Sequence, residues 1–515
     1  SYSVTGVQTC ALPICPDNKY VIAGSDDNTI KLWDVSNGNE MKTFAGHTND
    51  IEGVAFLPDR KHILSCSNDG VFKLWDIDKG TCIITYWAKD KNTWACYTPD
   101  GMFDGSIEGI KLFHFVKGIE VIPLESLYEK YFSPGLLASL LGGSEQKQED
   151  LKIEQLKPTP EVKIISPENS LTVSQEQINI TVKATDMGGG IDEIRLYHNG
   201  KLLDGTTRGF KSTGQNHEFT ITLTNGENRI KATAFNSQRT ESIPDEIVVN
   251  YKAPQQIKPN MHILAIGINN YLNPKYNLNY AKNDADAFVQ SLSTGASSLF
   301  GKVDITTIND ADATKSGILA AIEKIKASAK AEDVFVFYYA GHGVMSSGNG
   351  VEKPLFYLVP HDVTKMYEAD ETLKKSGISA TEIGEFSKTI KAQKQLFVID
   401  ACQSGGAMQT LAMRGAAEEK AIAQLARSTG TYFIAASGTE QFATEVAELG
   451  HGIFTYSVIE ALKGSCKSQD GKISVNLLKS CVEDLVPELS KKYKGQPQFP
   501  TGYGFGMDFP VVMVK

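Results

Sequence analysis

The chain has 515 residues, 41% hydrophobic and 22% charged, which excludes wholesale disorder and, at about 150 residues per domain, implies roughly three domains. Its 51 basic and 61 acidic side chains leave a formal charge of −10, too acidic to hold phosphate backbones, so no nucleic-acid partner is expected. No stretch reaches the roughly 18 consecutive apolar residues that a membrane-spanning helix needs. Eight cysteines stand at 10, 15, 66, 82, 96, 402, 466 and 481. None forms a Cys-x-x-Cys pair, and so sparse a scatter reads as free thiols in a reducing, cytoplasmic setting.

Residues 1–15 have no helix or strand period and join abruptly to a patterned repeat. They resemble a translated sequencing adapter, so the segment is set aside as non-native and the natural N-terminus is expected to be missing. From Pro16 the chain repeats itself. Pro16-Asp-Asn-Lys-Tyr20 recurs as Pro58-Asp-Arg-Lys-His62, and Lys31-Leu-Trp-Asp34 as Lys73-Leu-Trp-Asp76, each 42 residues on. With Gly46-His47 supplying the other half of the signature, this resembles the WD-repeat family, whose β-propeller blades recur every 40–45 residues or so. A third, degenerate pass runs from Trp94 to Phe115. Two blades and a remnant, residues 16–118, cannot close a ring of about four to eight, so a strand edge is expected to lie unpaired and this region to be the least stable. The resemblance implies a protein partner for the propeller.

Residues 119–160 read as connector and linker. The run Pro134 to Gly143 is expected to dock on a neighbouring domain, and the charged, Gln-rich segment Ser144 to Pro160 to be a linker. From 161 to 252 the period is two: Ile178, Ile180 and Val182, then Phe219, Ile221 and Leu223, then Ile230, Ala232 and Ala234. Asn199-Gly200 and Asn225-Gly226 are tight-turn signals between strands. The pattern predicts a β-sandwich, resembles a bacterial immunoglobulin-like domain, and suits a spacer or adhesive module.

From Met261 to the end, strands and helices alternate. His262–Gly267, Val303–Ile308, Val334–Tyr339, Leu396–Ile399 and Tyr432–Ala436 are apolar strands. Asn283–Leu292 has helix spacing, and Ile318, Ile322 and Ile325 stripe a second helix over Thr314–Ala329. Continuous apolar strands predict an α/β domain with a mainly parallel sheet covered on both faces.

Ligands of such sheets bind beyond the carboxyl ends of the strands. Two strands run there into glycine-rich turns, one carrying His342 and the other Cys402. A thiol becomes a nucleophile once a base takes its proton, and glycines beside it let a substrate carbonyl approach backbone N–H groups. Phe337-Tyr-Tyr-Ala-Gly-His-Gly343 followed by Val398-Ile-Asp-Ala-Cys-Gln-Ser-Gly405 resembles the caspase superfamily, in its bacterial metacaspase-like branch, across about residues 261–515.

The resemblance implies a cysteine endopeptidase with His342 as base, Cys402 as nucleophile, and the backbone N–H groups of Gly343 and Cys402 as oxyanion donors. Asp400 stands where the caspase motif has Gln, and with Asp284 it matches the acidic pocket that accepts Arg or Lys. The blander readings are that Asp284 caps its helix and Asp400 ties down the turn before Cys402. Ser437 falls where relatives line the pocket. Arg414-Gly415 is a candidate processing site, against a solvated helix over Ala416–Ala426. Asp370 and Glu371 could supply part of a calcium site, but no Asp closely follows Cys402, so no cofactor is expected. His451, the other histidine between glycines, reads as a strand-entry turn, and Cys466 and Cys481 as structural. The alternatives are a non-catalytic scaffold and a protease of the same clan with another preference, such as Asn.

Overall fold

The computed structural model describes residues 13–141, 151–203, 207–208, 216–255, 258–347, 354–367, 370–402, 411–436, 445–466 and 470–514, with the side chains of 207–208, 402, 411–418 and 445 outside the description. The chain divides into two compact units, one ending at Leu156 and the other running from Lys157 to Lys515.

In the first unit, Tyr20–Gly24, Thr29–Asp34 and Glu40–Ala45 form one antiparallel sheet, and Ile51–Phe56, His62–Ser67, Phe72–Asp76 and Thr81–Asp90 begin another. Ile22, Ile30 and Phe44 pack against Ile51, Ile63 and Trp75 between them. The repeat signature is a hydrogen-bond chain: Trp75 Nε1 donates to Ser65 Oγ at 2.8 Å, and His47 joins Ser65 through Nε2 and Asp69 through Nδ1, both at 2.7 Å.

The third pass does not open a blade of its own. Thr81–Asp90 is long enough to pair with Phe72–Asp76 through its first half and with Thr93–Tyr97 through its second, so Thr93–Tyr97 and Phe103–Gly105 extend the second sheet. The connector helix Leu136–Leu141 then covers that sheet, Leu136, Leu137 and Leu140 packing on Leu74, Ile84 and Cys96. Residues 13–15 are ordered against the first sheet: Ile14 bridges Val21, and Cys15 is buried.

The second unit begins with a β-sandwich. Glu161–Ser166, Gln177–Thr185 and Asn216–Thr222 form one sheet, and Leu171–Val173, Asp245–Tyr251, Gly226–Phe235, Glu193–His198 and Lys201–Leu202 the other. The alternating residues face inward, Ile180, Val182 and Ile221 against Leu196, Ile230 and Val249. Asn199 and Gly200 both take positive φ, 51° and 88°, the geometry a two-residue hairpin turn requires.

This sandwich is no free spacer, because its hairpin tip docks on the α/β domain. Asn199 Nδ2 donates to Gln393 Oε1 at 2.7 Å, Lys201 Nζ donates to the Ile390 carbonyl, and Arg427 pairs with Glu241 at 2.7 Å. Buried Glu241 stays ionised despite burial because the Arg427 guanidinium holds its carboxyl below the ordinary range.

The α/β domain is a three-layer sandwich. Its sheet runs Val303–Asn309, Met261–Gly267, Val334–Met345, Lys394–Cys402, Tyr432–Ala435, Thr501–Gly504, parallel except for the last strand. Ile263, Val336, Tyr338 and Val398 face helices Ala281–Ala296, Ile453–Leu462 and Val475–Lys494. Leu264, Phe337, Phe397 and Phe433 face helices Lys315–Ser328, Ala380–Thr389 and Leu411–Thr429.

Three expectations change. The helix after Cys402 spans Leu411–Thr429 and is not a solvated one, since Ile422, Leu425 and Ala426 are buried in the core. Cys466 and Cys481 are not free thiols; with Cα atoms 6.0 Å apart they form a disulfide, which sparse spacing alone cannot reveal. His342 lies not in a turn but inside a strand that continues to Met345, and Cys402 is the last residue of its strand, the residues after it lying outside the described ones. Gly343 is needed for close packing instead: a Cβ there would sit 2.8 Å from the Phe356 ring.

Candidate active site

His342 and Cys402 are register partners on adjacent parallel strands, at the carboxyl end of the sheet. Extending the two apolar runs puts them there: Val334–Tyr339 and Leu396–Ile399 pair residue for residue, and the pairing carries on through Ala340–Asp400 and Gly341–Ala401. The Cys402 side chain lies outside the described residues.

His342 is buried and held from three sides. Its Nε2 sits 2.7 Å from the Tyr276 carbonyl oxygen, which can only accept, so Nε2 carries the hydrogen and Nδ1 is left as the basic nitrogen of the neutral ring. Its backbone N–H donates to the Tyr271 hydroxyl at 2.9 Å, and the Tyr271 ring packs 5.0 Å from the imidazole. The Tyr339 hydroxyl lies 3.0 and 2.8 Å from the carbonyl oxygens of His342 and Val359 and can give its one hydrogen to either, tying the His342 strand to the residue after its neighbour Phe356–Leu358. Burial pushes the Tyr271 and Tyr339 phenols up, so both remain neutral hydroxyls. Gly343 is the register partner of Leu358 on that neighbour.

The two carboxylates singled out in the sequence converge. Asp284 is in the first turn of its helix yet does not cap it; the N-cap is Tyr280, without a side-chain bond. Its Oδ1 is 2.7 Å from His451 Nδ1, and its Oδ2 accepts from the Gly452 N–H at 3.2 Å. Asp400 Oδ2 accepts from the Thr455 hydroxyl at 2.5 Å, a tie to the helix Ile453–Leu462. Both carboxylates crowd one glycine: a Cβ on Gly452 would lie 3.2 Å from Asp400 Oδ2 and 3.3 Å from Asp284 Oδ2. Tyr338 completes the cluster, its hydroxyl 2.6 Å from Thr455 Oγ1. Burial and the two nearby carboxylates drive its phenol well above the ordinary range.

Sequence reasoning missed Gly452, Thr455, Tyr271 and Tyr276, and read His451 as a strand-entry turn. For His451 a signal existed: Gly450-His-Gly452 repeats the triplet Gly341-His-Gly343. Ser437 lies outside the described residues, and Arg414 lies within the helix Leu411–Thr429 with its side chain outside them. Asp370 accepts from the Ser347 N–H and Glu371 pairs with Lys374. Among the described residues no cluster of three metal-binding side chains occurs, and no helix is long and apolar enough to cross a membrane.

Residues 261–502 match the caspase domain family, residues 160–232 the bacterial Ig domain, and residues 2–34 and 38–76 the WD domain G-beta repeat. The first repeat match thus begins inside the segment set aside at the N-terminus. A nuclear distribution protein, PAC1-2 of Postia placenta, is 46% identical over 37 residues, which are 7% of this chain and 9% of that protein. The chain therefore spans under a tenth of that relative. A Geobacter sulfurreducens crystal structure, 17% identical, covers 48% of this chain and 94% of its own with a TM-score of 0.34. Fibronectin(III)-like modules of Clostridium thermocellum CbhA, 22% identical, cover 18% of this chain and 100% of their own at 0.16. The chain carries WD repeats, a bacterial immunoglobulin domain and, over residues 261–502, a caspase domain, in that order.

Proposed function

We propose that the caspase domain is an active endopeptidase that cleaves after Arg or Lys, with His342 as general base and Cys402 as nucleophile. The observation that carries this reading is the register pairing of His342 with Cys402 at one sheet edge, together with the Tyr276 carbonyl that keeps the Nδ1 lone pair for the thiol proton. His342 takes that proton. The thiolate adds to the scissile carbonyl, and the N–H groups of Gly343 and Cys402 hold the oxyanion. The imidazolium returns the proton to the leaving amine, and water, deprotonated by the same ring, releases the acid.

Asp284 and Asp400 favour a cationic side chain, and a planar guanidinium can bridge two carboxylates better than an ammonium can. Ser437 would line the same pocket, and Arg414-Gly415 would be cut on activation once its helix opens. The substrate is a protein or peptide; the WD repeats and the immunoglobulin domain serve recognition or regulation.

Fluorogenic peptides ending in Arg, Lys, citrulline, Asp and Asn, assayed with and without calcium against a Cys402→Ala control, test this. Arg and Lys cleavage above the control is expected. Cleavage of Asp or Asn peptides alone would replace the specificity, and no cleavage of any peptide would point to a scaffold.

A further inference from the structure

One turn holds the imidazole of His342 and the backbone beneath it at the same time. The strand Met261–Gly267 keeps pace with Val334–Ala340, and its last rung is the Ile268 N–H donating to the Ala340 carbonyl at 3.1 Å, two residues before His342. The next rung is made by a side chain: the His342 N–H donates to the Tyr271 hydroxyl at 2.9 Å. Further round the same turn, the Tyr276 carbonyl meets His342 Nε2 at 2.7 Å. The turn is closed between these two grips, because the Tyr271 N–H donates to Asn277 Oδ1 at 2.9 Å and the Leu278 N–H to the Asn269 carbonyl at 2.8 Å. A carbonyl at Nε2 fixes one point of the ring; a second anchor on the backbone that carries the ring fixes the direction of Nδ1.

The Tyr271 hydroxyl is itself seated. Tyr271 is buried, its ring packs 5.0 Å from the imidazole, and its hydroxyl hydrogen-bonds that of Tyr339. The Tyr339 hydroxyl in turn lies 3.0 Å from the His342 carbonyl oxygen, so the two phenols bridge the N–H and the C=O of the one residue that carries the imidazole. Their meeting explains a glycine: a Cβ on Gly341 would lie 2.7 Å from each of the two hydroxyl oxygens. We propose that Tyr271 is a positioning residue for His342, its hydroxyl standing in for the strand that ends short of it and aiming Nδ1 at Cys402. This rests on the His342–Cys402 reading above and adds to it the residue that sets the aim.

The test alkylates Cys402 in the full chain with iodoacetamide at neutral pH and follows the peptide that carries it by mass spectrometry. The thiolate displaces iodide while His342 holds the thiol proton, so the rate reads the base without a peptide substrate. His342→Ala should slow it most. Tyr271→Phe keeps the ring, removes the acceptor of the His342 N–H, and should slow it about 10- to 100-fold, the cost of a misdirected base. Tyr339→Phe, the same deletion one hydroxyl further from that N–H, should slow it clearly less. With an Arg peptide the Tyr271→Phe loss should fall on kcat and leave KM unchanged. Hydrogen exchange in Tyr271→Phe should quicken in the peptide 340–345 and stay as it was in 261–267 and 394–401. Equal alkylation of the wild type and His342→Ala overturns the His342–Cys402 reading and this inference with it. Slow alkylation of His342→Ala beside an unchanged rate in Tyr271→Phe overturns the role of Tyr271 alone. So does a loss carried by KM, a loss in Tyr339→Phe as large as that in Tyr271→Phe, or quickened exchange that spreads to 261–267, which is local unfolding and not lost aim.

Discussion

Acid should loosen the seam between the immunoglobulin and caspase domains through one imidazole. His198 is buried at the root of the docking hairpin, its Nε2 2.8 Å from Asn228 Oδ1 and its Nδ1 2.7 Å from Gln393 Nε2 across the seam. One nitrogen donates and the other accepts, so only the neutral ring fits. Burial pushes its pKa down to about 4, with nearby Lys201 adding to the cost of a charge. The unfolded chain takes up this proton near pH 6.5 and the folded one near 4, so the contribution is whole above about pH 6.5 and is lost as pH falls toward 4. At about 1.4 kcal/mol per pH unit the loss approaches about 3 kcal/mol, a large fraction of a typical domain's stability. His198→Gln can make both hydrogen bonds without titrating. Hydrogen exchange of the peptides 193–203 and 390–396, corrected for intrinsic rates, should show the wild type losing protection below pH 6 relative to that variant. Curves that run parallel from pH 7 to 4.5 would refute the reasoning.

The remaining expectations follow from three other buried groups. Arg427→Met and Glu241→Gln should each destabilise the seam by about 3 kcal/mol, and the double variant by clearly less than their sum, because either single change leaves a buried charge without its partner; protection of the helix Leu411–Thr429 reads this. Burial pushes Asp104 up to about 6, against the N–H groups of Gly105 and Gly135 that favour its charge. Its folded form therefore keeps a proton that the unfolded chain sheds near pH 4, and the first unit loses about 3 kcal/mol as pH rises from 4 through 6. Asp104→Asn should abolish that loss, as followed by the fluorescence of the four Trp, all of which precede residue 95. Peptide mapping without reductant should recover Cys466 and Cys481 linked, and reduction should cost about 3 kcal/mol for a loop of this length; two separate free peptides would refute the pairing.

What was legible in the sequence was whatever repeats or alternates. The 42-residue echo found both blades, period two found the sandwich, and the apolar runs Val334–Tyr339 and Leu396–Ile399 found the central strands and the residues at their tips. Asp284 and Asp400 were legible only through the resemblance to the metacaspase-like branch, which implies an acidic pocket. What stayed hidden depends on separation in space. Nothing local says that Thr81–Asp90 will pair on both sides, that Cys466, past the end of one helix, will meet Cys481 inside the next, or that Tyr276 will offer a carbonyl to His342 from 66 residues away. His451 is the instructive case. Its glycines mark it as punctuation as well as they mark His342 as functional, and only the 2.7 Å contact with Asp284, 167 residues earlier, separates the two meanings.

The seam also bears on the chemistry. The strand Lys394–Cys402 begins one residue after Gln393, which His198 and Asn199 hold. The helix that returns from beyond Cys402 ends at Thr429, two residues past Arg427, which Glu241 holds. The immunoglobulin domain thus grips both feet of the strand-and-helix pair that carries Cys402, the proposed nucleophile. A nine-residue strand at about 3.3 Å per residue puts those feet roughly 30 Å from Cys402, at the sheet edge opposite the one where His342 waits. Loosening the seam frees this pair as a unit, and a shift of about 1 Å between Cys402 and His342 is enough to lower turnover about 100-fold. Seam variants that still fold should therefore lose turnover without losing the His342 hydrogen bonds to Tyr276 and Tyr271, which the seam does not touch.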